Sequence, residues 1–591
     1  MRRERGISKL TQQEIIEMGI NSKVLINARP GIGKTYTLIQ RICYLIGDLE
    51  SDGDYNFDHF NSLLPREILV LCFANTTVET IKERVGEYSR DVREILITTF
   101  DSFTGKILYE SGTISMTATS YEDNIRHLIK LLENKKEAVL DYIEEFKYLF
   151  VDEAQDLVGD RSRLVDLILE QMDGGMLFQD PNQAIYNFGA QKTGSVDFSK
   201  IMDVYTLEGK NFRLGKNLQV LENNLRELLE SKEEDYLKYL EVMKSYDLSN
   251  YRGDEEFNVI LCKNRYIMNK EYYERIQKKM KVRIFEPKSD TLYPRWLGQI
   301  FYDFQDNEIT IEELGRRMRI VTDQINVKSE WNTLKQIEKQ GANKRREPLS
   351  KLKKNKIVID YLLTGLLNKK WLSVLSNVPD EDSTIISTIH RAKGKEFKKV
   401  LLSLPALSKS EDTPNVIYVG ATRASDDFAS TTISHQVPMY LEKEKKWLWI
   451  YNHKFFLTFG LKEDHDDQGV FVSVSDKNAF LRNQKIINNL TINDELTLFL
   501  NFKLNGWFIQ FQEGGEYVNL QKMSNKFKND LRSISFKIIK RRRWISHINS
   551  VRLERIGTAI LHPDSKERKY CPSGIYNILR IVGYNSPLNI R

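Results

Sequence analysis

Short apolar runs alternate with amphipathic stretches along the first third of the chain. The runs have the length of buried strands, and the stretches between them, such as Tyr36–Ile46 and Val78–Glu87, space their apolar residues as helices do. This alternation predicts an α/β domain built on a parallel sheet. The apolar runs lie at Val24–Ile26, Ile68–Phe73, Ile95–Phe100, Tyr148–Val151 and Gly175–Phe178.

The turn after the first run, Asn27–Thr35, has the residues of a phosphate-binding loop and leads directly into a predicted helix. Glycines let the backbone approach an anion, and the amides and dipole of a helix N-terminus favour negative charge. Lys34 is expected to reach nucleotide phosphates and Thr35 to hold Mg²⁺. The strict pattern begins with glycine where this chain has Ala28. The expected nucleotide contacts in this loop are Ala28, Pro30, Gly31, Ile32, Gly33, Lys34, Thr35 and Tyr36.

Two adjacent carboxylates, Asp152 and Glu153, follow the fourth apolar run. Asp152 is expected to hold Mg²⁺ together with Thr35, and Glu153 to orient and deprotonate an attacking water. Gln183 follows the fifth run, from which it could sense a γ-phosphate. A strand that ends in a chance acidic pair is the alternative. The order of phosphate loop and acidic strand end nevertheless favours a P-loop ATPase.

Aromatic and polar residues follow several of the runs. The carboxyl ends of parallel strands line the ligand crevice of an α/β sheet, so these residues are expected beside the phosphate loop. Taken alone, such residues are more often core aromatics and turn residues. The residues concerned are Phe73, Asn75, Thr99, Phe103, Tyr186 and Phe188.

Further segments occur in a fixed order along the chain, at Asp152–Asp156, Asp180–Tyr186, Leu207–Arg213, Val259–Asn264, Ser387–Phe397 and Tyr418–Ala424. Together with the phosphate loop they resemble the motifs of superfamily 1 helicases of the UvrD/Rep/PcrA type. The resemblance extends from Gln13 to Arg423. It implies two RecA-like motor domains that bind ATP and Mg²⁺ and move along single-stranded DNA or a single-strand/duplex junction, typically 3′ to 5′.

The resemblance also implies roles for individual residues. Gln13, rather than Gln12, would contact adenine, and Arg213 the γ-phosphate. Arg423 resembles an arginine finger, which is worth roughly 10³–10⁵ in rate where one acts. The implied nucleotide contacts outside the loop include Phe212 and Glu396. The implied strand-binding positions are Phe73, Asn75, Thr99, Phe103, Tyr186, Phe188 and His390, where stacking would supply roughly 1–3 kcal/mol per base.

The chain departs from the helicase pattern at several positions. Tyr36 stands where arginine is usual, Gln179 replaces a glycine, Lys395 replaces a leucine, and an arginine is missing after Phe188. The phosphate and Mg²⁺ residues are retained. ATP hydrolysis is therefore expected, and the departures concern its coupling to DNA.

Length and composition limit the class of protein. A chain of 591 residues is too long for one core and implies several domains. The net charge of +6 permits a nucleic-acid partner without requiring one, and the four scattered cysteines lack the spacing of a metal site or disulfide framework. No apolar run approaches the length of a membrane span. A cytoplasmic protein without a membrane partner is expected.

The fold class predicted is α/β, with two RecA-like P-loop motor domains, a reduced helical insertion and a C-terminal β-rich domain. The alternation of apolar residues in Leu490–Leu500, Trp507–Phe511, Ile534–Ile539 and His547–Ile560 predicts that the last domain is small and barrel-like. The predicted domains are 1–205 (first motor domain, short insert at about 104–147), 206–285 and 381–440 (second motor domain), 286–380 (basic helical insertion) and 441–591 (β-rich domain).

Basic residues cluster at Lys328–Lys356 and again at Lys540–Trp544. Each cluster is either a nucleic-acid contact or a solvated surface. The leading hypothesis is an ATP-dependent DNA helicase or translocase in repair, recombination or antiphage defence. The alternative is a regulatory, DNA-sensing ATPase subunit that works with a nuclease, as in Gabija-type systems. An RNA-directed motor is a third hypothesis.

Overall fold

The structure, a computed structural model, describes residues 8–47, 63–73, 75–88, 94–113, 121–185, 195–245, 257–285, 292–322, 325–368, 371–372, 375, 383–406, 413–433, 439–451, 454–492, 494–538, 545–584 and 588–590. The chain forms two compact units. The first comprises Met1–Glu255, Ala392–Leu402 and Leu407–Ser430, and the second comprises Glu256–Arg391, Ser403–Ala406 and Thr431–Arg591. Residues 206–245 fold with the first unit, whereas the sequence placed them in a second motor domain. The five predicted domains stay predictions.

The first unit is built on a seven-stranded sheet whose paired strands are parallel. Its strands are β1 Ser8–Leu10, β2 Lys23–Asn27, β3 Ile68–Cys72, β4 Leu96–Thr99, β5 Tyr148–Val151, β6 Gly174–Gln179 and β7 Asp203–Leu207. They lie in the order β1-β7-β2-β6-β5-β3-β4. Each predicted apolar run therefore forms a strand of one sheet.

Helices cover both faces of this sheet, and each face has its own hydrophobic core. Leu38, Ile42 and Ile81 belong to one core, and Phe103 and Ile168 belong to the other. Burial on both faces explains why the inner strands β3 and β5 are continuously apolar instead of alternating. The helices are α1 Gln12–Ile16, α2 Lys34–Ile46, α3 Asn75–Tyr88, α4 Phe100–Glu110, α5 Tyr121–Glu133, α6 Glu137–Glu144, α7 Asp160–Glu170, α8 Phe198–Ile201, α9 Lys216–Glu230 and α10 Tyr236–Ser245.

A second parallel sheet begins with β8. The elements of this part of the chain are β8 Val259–Cys262, α11 Arg265–Gln277, β9 Val282–Ile284, α12 Arg295–Phe301, β10 Glu308–Thr310, α13 Ile311–Val321, α14 Val327–Lys344, β11 Lys356–Val358, α15 Ile359–Leu366, β12 Thr384–Thr388, α16 Ile389–Ala392, β13 Phe397–Pro405, α17 Thr413–Ala421 and β14 Ala424–Ile433. Strand β12 pairs in parallel with both β8 and β9. The full strand order is β14-β13-β8-β12-β9, and Ser403 of β13 accepts a hydrogen bond from the Lys263 amide.

The insertion between β9 and β12 is mainly helical, as predicted. Its helices α12–α15 bury Trp296, Phe301 and Trp331 in a common core. Several lysines of the basic cluster Lys328–Lys356 are ion-paired within the insertion, which favours the solvated-surface interpretation for them. The pairs are Lys335–Glu338, Lys351–Glu347 at 2.7 Å, Lys353–Glu308 at 3.5 Å and Lys356–Glu308 at 3.0 Å.

The C-terminal region is β-rich, which confirms the prediction. Its strands and helices are β15 Met439–Leu441, β16 Lys446–Tyr451, β17 Lys454–Leu457, α18 Lys477–Asn489, β18 Glu495–Asn501, β19 Gly506–Glu513, β20 Glu516–Lys522, α19 Asn525–Ile538, β21 Ile545–Ile560, β22 Ile575–Val582 and β23 Leu588–Ile590. Strands β18–β22 form an antiparallel sheet in the order β20-β19-β18-β21-β22, and β23 pairs with β21.

One strand predicted in this region is wrong. Residues from Ile534 to Ile538 belong to helix α19. The helix buries Phe527, Leu531 and Ile534, which recur at the spacing of helical turns. That spacing continues the apolar face into the segment that was interpreted as a strand. The basic segment Lys540–Trp544 lies outside the described residues. Among the described residues, no helix combines the length and apolar composition that a membrane span needs.

Candidate nucleotide site

The phosphate loop joins β2 to α2, as the apolar pattern predicts, and helix α2 begins at Lys34. Gly31 and Gly33 adopt left-handed φ angles of 79° and 93°. A Cβ atom on Gly31 would lie 2.3 Å from Asn211 Oδ1, and one on Gly33 would lie 2.3 Å from Gln12 Nε2. The left-handed backbone favours glycine at both positions, and at Gly31 a Cβ would also lie 2.9 Å from Arg213 Cβ.

Asn211 holds the loop from the side of β7. Its Nδ2 donates to the Pro30 carbonyl at 2.8 Å, and its Oδ1 accepts from the amides of Arg213 at 3.0 Å and Leu214 at 2.8 Å. The Phe212 amide donates to the Gly31 carbonyl at 2.8 Å. These contacts fix the segment Asn211–Arg213 against the phosphate loop. Sequence reasoning missed the role of Asn211, which its position beside Phe212 and Arg213 could have suggested.

Gln12, rather than Gln13, faces the phosphate loop, and the adenine contact assigned to Gln13 from the sequence stays a prediction. Thr11 caps helix α1, so Gln12 is the first helical residue, and its Nε2 donates to the Ile32 carbonyl at 2.9 Å. Gln13 points elsewhere and donates to Glu17. The two side chains lie about 100° apart around a helix, so only one of them reaches the loop.

Lys34 lies against the two carboxylates at the end of β5. Its Nζ is 3.2 Å from Glu153 Oε1 and 3.7 Å from Asp152 Oδ1. Burial favours the neutral amine, but the nearby carboxylates outweigh it and raise the pKa of Lys34. Burial raises the pKa of Asp152 despite the lysine. Burial also opposes ionisation of Glu153, yet Lys34 and Lys393 lower the pKa of Glu153 to about 2, so this carboxylate is ionised at neutral pH.

A chain of side-chain hydrogen bonds continues from Glu153. Gln155 Nε2 donates to Glu153, and Gln155 Oε1 accepts from the Asp180 amide at 3.1 Å. Gln183 Nε2 donates to Asp180 Oδ2 at 3.0 Å, and Gln183 Oε1 accepts from Arg423 Nη2 at 3.1 Å. Glu153 itself has a φ of 57°, which is a strained conformation for a side chain with a Cβ. The strain is located at a residue predicted to be catalytic.

Two arginines complete the site. Arg423 is 3% exposed, and burial together with the charge of Arg213 lowers the pKa of its guanidinium to about 10, so it remains a cation at neutral pH. Arg213 Nη2 pairs with Glu396 Oε1 at 2.5 Å. The structure therefore brings together Lys34, Glu153, Gln183, Arg213 and Arg423 from five separate segments of the chain.

Lys393 forms a buried contact that the sequence did not reveal. Its Nζ donates to both carboxylate oxygens of Asp156, at 2.8 and 2.6 Å, and to the Gln183 carbonyl at 2.8 Å. Burial raises the pKa of Asp156 to about 6 even with this partner. The pair joins the acidic segment after β5 to the segment after α16. From the sequence alone, only the resemblance to helicases indicates that these two segments lie near each other.

A second network of charged side chains, centred on the buried Glu222, holds the phosphate loop through Arg29. Arg29 pairs with Glu222 of α9, and Arg226 contacts Asp180 at 3.3 Å and Glu222 at 2.9 Å. Tyr418 donates to Glu222 at 2.5 Å. Isolated charges on a helix give no signal that they will be buried, so sequence reasoning missed Glu222 and Arg226.

The residues around Lys34, Glu153 and Arg423 surround a cavity of about 830 Å³. This volume lies within the range of roughly 300–1,000 Å³ that small-molecule and cofactor sites occupy. Tyr36 and Phe212 line it and are 46% and 70% exposed, so both aromatic side chains are accessible to a ligand. The other lining side chains are mostly charged or polar. They comprise Gln12, Arg29, Lys34, Thr35, Thr77, Thr80, Arg84, Asp152, Glu153, Gln183, Arg213, Lys395, Glu396 and Arg423.

The donor set fits a hard divalent cation. Asp152 offers a carboxylate, and Thr35 offers a hydroxyl at the second residue of α2. Mg²⁺ prefers such oxygen ligands and usually keeps several waters. Among the described residues, no cluster of three or more His, Cys, Asp or Glu side chains is arranged to hold a metal by itself. Thr35 and Asp152 would thus hold the ion jointly with phosphate oxygens.

The residues predicted to bind nucleic acid have mixed positions. Phe73 is half-buried, with its ring 5.0 Å from that of Phe100. Thr99 caps α4, and its Oγ1 accepts from the Ser102 amide at 3.3 Å. Phe103 is fully buried in the core, where no base can stack on it, so its predicted role does not fit this structure. His390 is half-buried in the second unit. The Asn75 side chain, Tyr186 and Phe188 lie outside the described residues.

The parallel sheet, the phosphate loop and the acidic strand end define a P-loop nucleotide-binding domain. Residues 9–114 and 108–202 match the UvrD/REP helicase N-terminal domain, and residues 384–427 match the UvrD-like helicase C-terminal domain. These parts of the chain are similar to UvrD-like helicases. The resemblance inferred from the motifs is confirmed.

Individual relatives agree over part of the chain. A probable DNA helicase II homolog of Mycoplasma pneumoniae is 28% identical over 210 residues, which is 33% of this chain and 27% of that protein. The ATP-dependent DNA helicase SRS2 of Saccharomyces cerevisiae is 29% identical over 153 residues, 25% of this chain and 11% of the yeast protein. The chain thus matches only about a quarter or less of either relative's length.

Solved helicase structures also align with the chain. The Pif1 helicase from Bacteroides, in complex with ADP-AlF3 and single-stranded DNA, gives a TM-score of 0.33 at 13% identity, over 73% of this chain and 94% of that one. The Pif1 helicase from Candida albicans gives a TM-score of 0.36 at 12% identity, over 72% and 94%.

Proposed function

We propose that this protein is an ATP-dependent DNA helicase or translocase that acts on single-stranded DNA. The observation that carries the proposal is the convergence of Lys34, the ionised Glu153, Gln183 and Arg423 around one cavity at the phosphate loop. The family of residues 9–202 and 384–427 supports the same activity. Both SRS2 and the Mycoplasma relative are named as DNA helicases, which supports DNA as the substrate.

The chain's own residues would divide the chemistry of hydrolysis among them. Loop amides and Lys34 bind the phosphates, and Thr35 and Asp152 hold Mg²⁺, which would neutralise phosphate charge. Glu153 is ionised and can accept a proton from an attacking water. Gln183 links Arg423 to the carboxylates, and the two arginines Arg213 and Arg423 stabilise charge that develops on the transferred phosphoryl group. Gln12, Tyr36 and Phe212 line the cavity and would contact the base.

The test is ATP hydrolysis with and without single-stranded DNA, for the natural chain and for Lys34→Ala. Lys130→Ala is a matched control, because Lys130 is an exposed lysine on α5 of the same unit. We expect stimulation by DNA in the natural chain and the control, and loss of hydrolysis in Lys34→Ala. Hydrolysis that is indifferent to DNA would contradict a DNA motor. The same assay with single-stranded RNA tests the hypothesis of an RNA-directed motor, which predicts stronger stimulation by RNA than by DNA.

The proposed direction is 3′ to 5′, which rests on the family resemblance. It is tested by displacement of streptavidin from oligonucleotides that are biotinylated at either end. Faster displacement from the 5′ end supports this direction, because a motor moving 3′ to 5′ arrives there. Preferential clearance of the 3′ end contradicts it.

A regulatory ATPase subunit of a nuclease-containing defence complex is the second candidate. The observation that favours it is the small insertion in the first unit, where α5 and α6 are the helices described between α4 and β5. A small insertion offers little surface for separating strands. Co-purification with a nuclease, together with absent unwinding by the isolated chain, would support this candidate. Unwinding of a tailed duplex by the isolated chain would contradict it.

A further inference from the structure

A second cavity lies in the C-terminal region, between the hairpin β18–β19 and helix α19. Its volume is about 250 Å³. Trp507, Leu531 and Ile545 form its floor and are each at most 2% exposed. The cavity is therefore an apolar depression at the small end of the range for ligand sites.

The rim of this cavity is an ordered turn that presents an aromatic ring. Asn501 Oδ1 accepts from the Leu504 amide at 3.0 Å, and Asn505 Oδ1 accepts from Lys528 Nζ at 2.6 Å. The turn is thus fixed within itself and to α19. Phe502, at its tip, is 73% exposed. A large apolar ring on a fixed turn is available for contact with a partner.

Positive charge surrounds the same cavity. Lys528 and Arg532 line it, and no acidic residue is among its lining residues. The Arg532 guanidinium lies 5.9 Å from the ring centre of Phe536, which is itself 62% exposed. The ligand that complements this surface is an anion with flat apolar parts.

We propose that the hairpin–helix surface, defined by Phe502, Trp507, Lys528, Arg532 and Phe536, binds single-stranded nucleic acid. One base enters the cavity beside Phe502, a neighbouring base stacks on Phe536, and Lys528 and Arg532 contact the phosphates. Alternating aromatic rings and cations are the chemistry that binds single strands without regard to sequence. The surface lies outside the segments that match the helicase family, so this contact goes beyond the proposed motor.

The test uses the full-length chain and a fluorescein-labelled thymidine oligonucleotide of about 20 nucleotides. Phe502→Ala is expected to raise the Kd at least about fivefold, as loss of one stacked base does. Arg532→Ala is expected to reduce the slope of log K against log salt by about 0.7, which is the contribution of one phosphate contact on a single strand. A uridine oligonucleotide shows whether DNA or RNA binds more tightly.

Two variants in the same unit serve as matched controls. Tyr517→Ala removes an aromatic ring that is 59% exposed on β20, and Lys485→Ala removes an exposed lysine on α18. Neither residue lines the cavity, so neither variant is expected to change the Kd by more than twofold. Equal weakening by the controls and by Phe502→Ala would overturn the proposal.

Photocrosslinking separates this surface from the motor. An oligonucleotide with 5-iodouracil is expected to form adducts on peptides that contain Phe502 or Phe536. Adducts confined to peptides of the first unit, with unchanged affinity in both surface variants, would overturn the proposal. Binding of polyglutamate at this surface, without binding of oligonucleotides, would also overturn the proposal. The adducts do not depend on ATP hydrolysis, so hydrolysis that is indifferent to DNA would remove the motor function and leave this inference standing.

Discussion

The two units bury charged side chains in different settings. In the first unit, Asp152 and Arg423 are buried and the Lys34 side chain is only 13% exposed, but all three border a cavity of about 830 Å³. In the second unit, Lys446 and Asp464 are fully buried, pair at 2.8 Å, and are surrounded by packed core residues. Buried charge alone is therefore not evidence of a functional site. The distinguishing feature is a cavity that a ligand can enter and share with the charges.

Arg423→Ala should cause the largest change. Loss of an arginine that stabilises phosphoryl charge is expected to lower the rate of ATP hydrolysis by roughly 10³–10⁵. The measurement is kcat at saturating ATP and DNA. Arg126→Ala, whose side chain is 57% exposed on α5, is the control and should stay close to the natural chain. A loss of less than tenfold for Arg423→Ala would mean that its burial serves structure, as for Lys446.

Lys446→Met tests the other side of the comparison. Its ammonium donates to Asp464 at 2.8 Å and to Asp530 at 2.7 Å, so removal leaves the fully buried Asp464 carboxylate without its cation. The free energy of unfolding is expected to fall by about 3–5 kcal/mol. The measurement is denaturant unfolding with a probe in the second unit. Lys443→Met, at an exposed position nearby, is the control and should change stability by less than about 0.5 kcal/mol.

His465 predicts a pH dependence of the second unit. Its Nδ1 bonds to the Leu461 carbonyl at 2.9 Å, and its Nε2 accepts from the Ile581 amide at 3.0 Å, so neither nitrogen can take an additional proton without losing a bond. Burial lowers the pKa of His465 to about 3 from the ordinary value of 6.5. The unfolded chain therefore binds more protons between these values. Stability should fall as pH decreases from about 6.5 towards 3, by on the order of 1.4 kcal/mol per pH unit.

The measurement is the free energy of unfolding of the second unit against pH. His465→Gln keeps some hydrogen-bonding capacity and should flatten the dependence in this window. His562→Gln, whose side chain is 65% exposed, should leave it unchanged. An unaltered slope in His465→Gln would show that other groups control the acid sensitivity.

Two glycine substitutions should give the smallest effects, with opposite signs. Gly33→Ala places a Cβ against Gln12 at a φ of 93° and is expected to cost roughly 1–2 kcal/mol of stability and to weaken ATP binding. Gly86→Ala, on helix α3 with nothing within 4 Å of the new Cβ, is expected to stabilise by roughly 0.5–1 kcal/mol. Thermal unfolding and nucleotide titration measure both. Equal effects of the two substitutions would contradict the close packing around the loop.

The sequence predicted the first unit far better than the second. Each apolar run of residues 24–178 forms a strand of the sheet, because a strand buried on both faces is continuously apolar. The phosphate and carboxylate residues come together because each follows a strand at the same edge of the sheet. Which of Gln12 and Gln13 faces the phosphate loop could not be predicted without the position of the helix cap. Glu222, Arg226 and Lys393 could not be found because their burial depends on tertiary packing. Helix α19 was missed in part because a short apolar segment has no distinctive period.

The first unit includes two segments, Ala392–Leu402 and Leu407–Ser430, that lie far along the chain from its other residues. Lys393 and Arg423 contact Asp156 and Gln183, which precede them by 237 and 240 residues. Synthesis at about 5–20 residues per second separates the members of each pair by roughly 10–50 seconds. During that interval Asp156 and Gln183 are present without these partners. The nucleotide site can therefore reach its final form only late in translation.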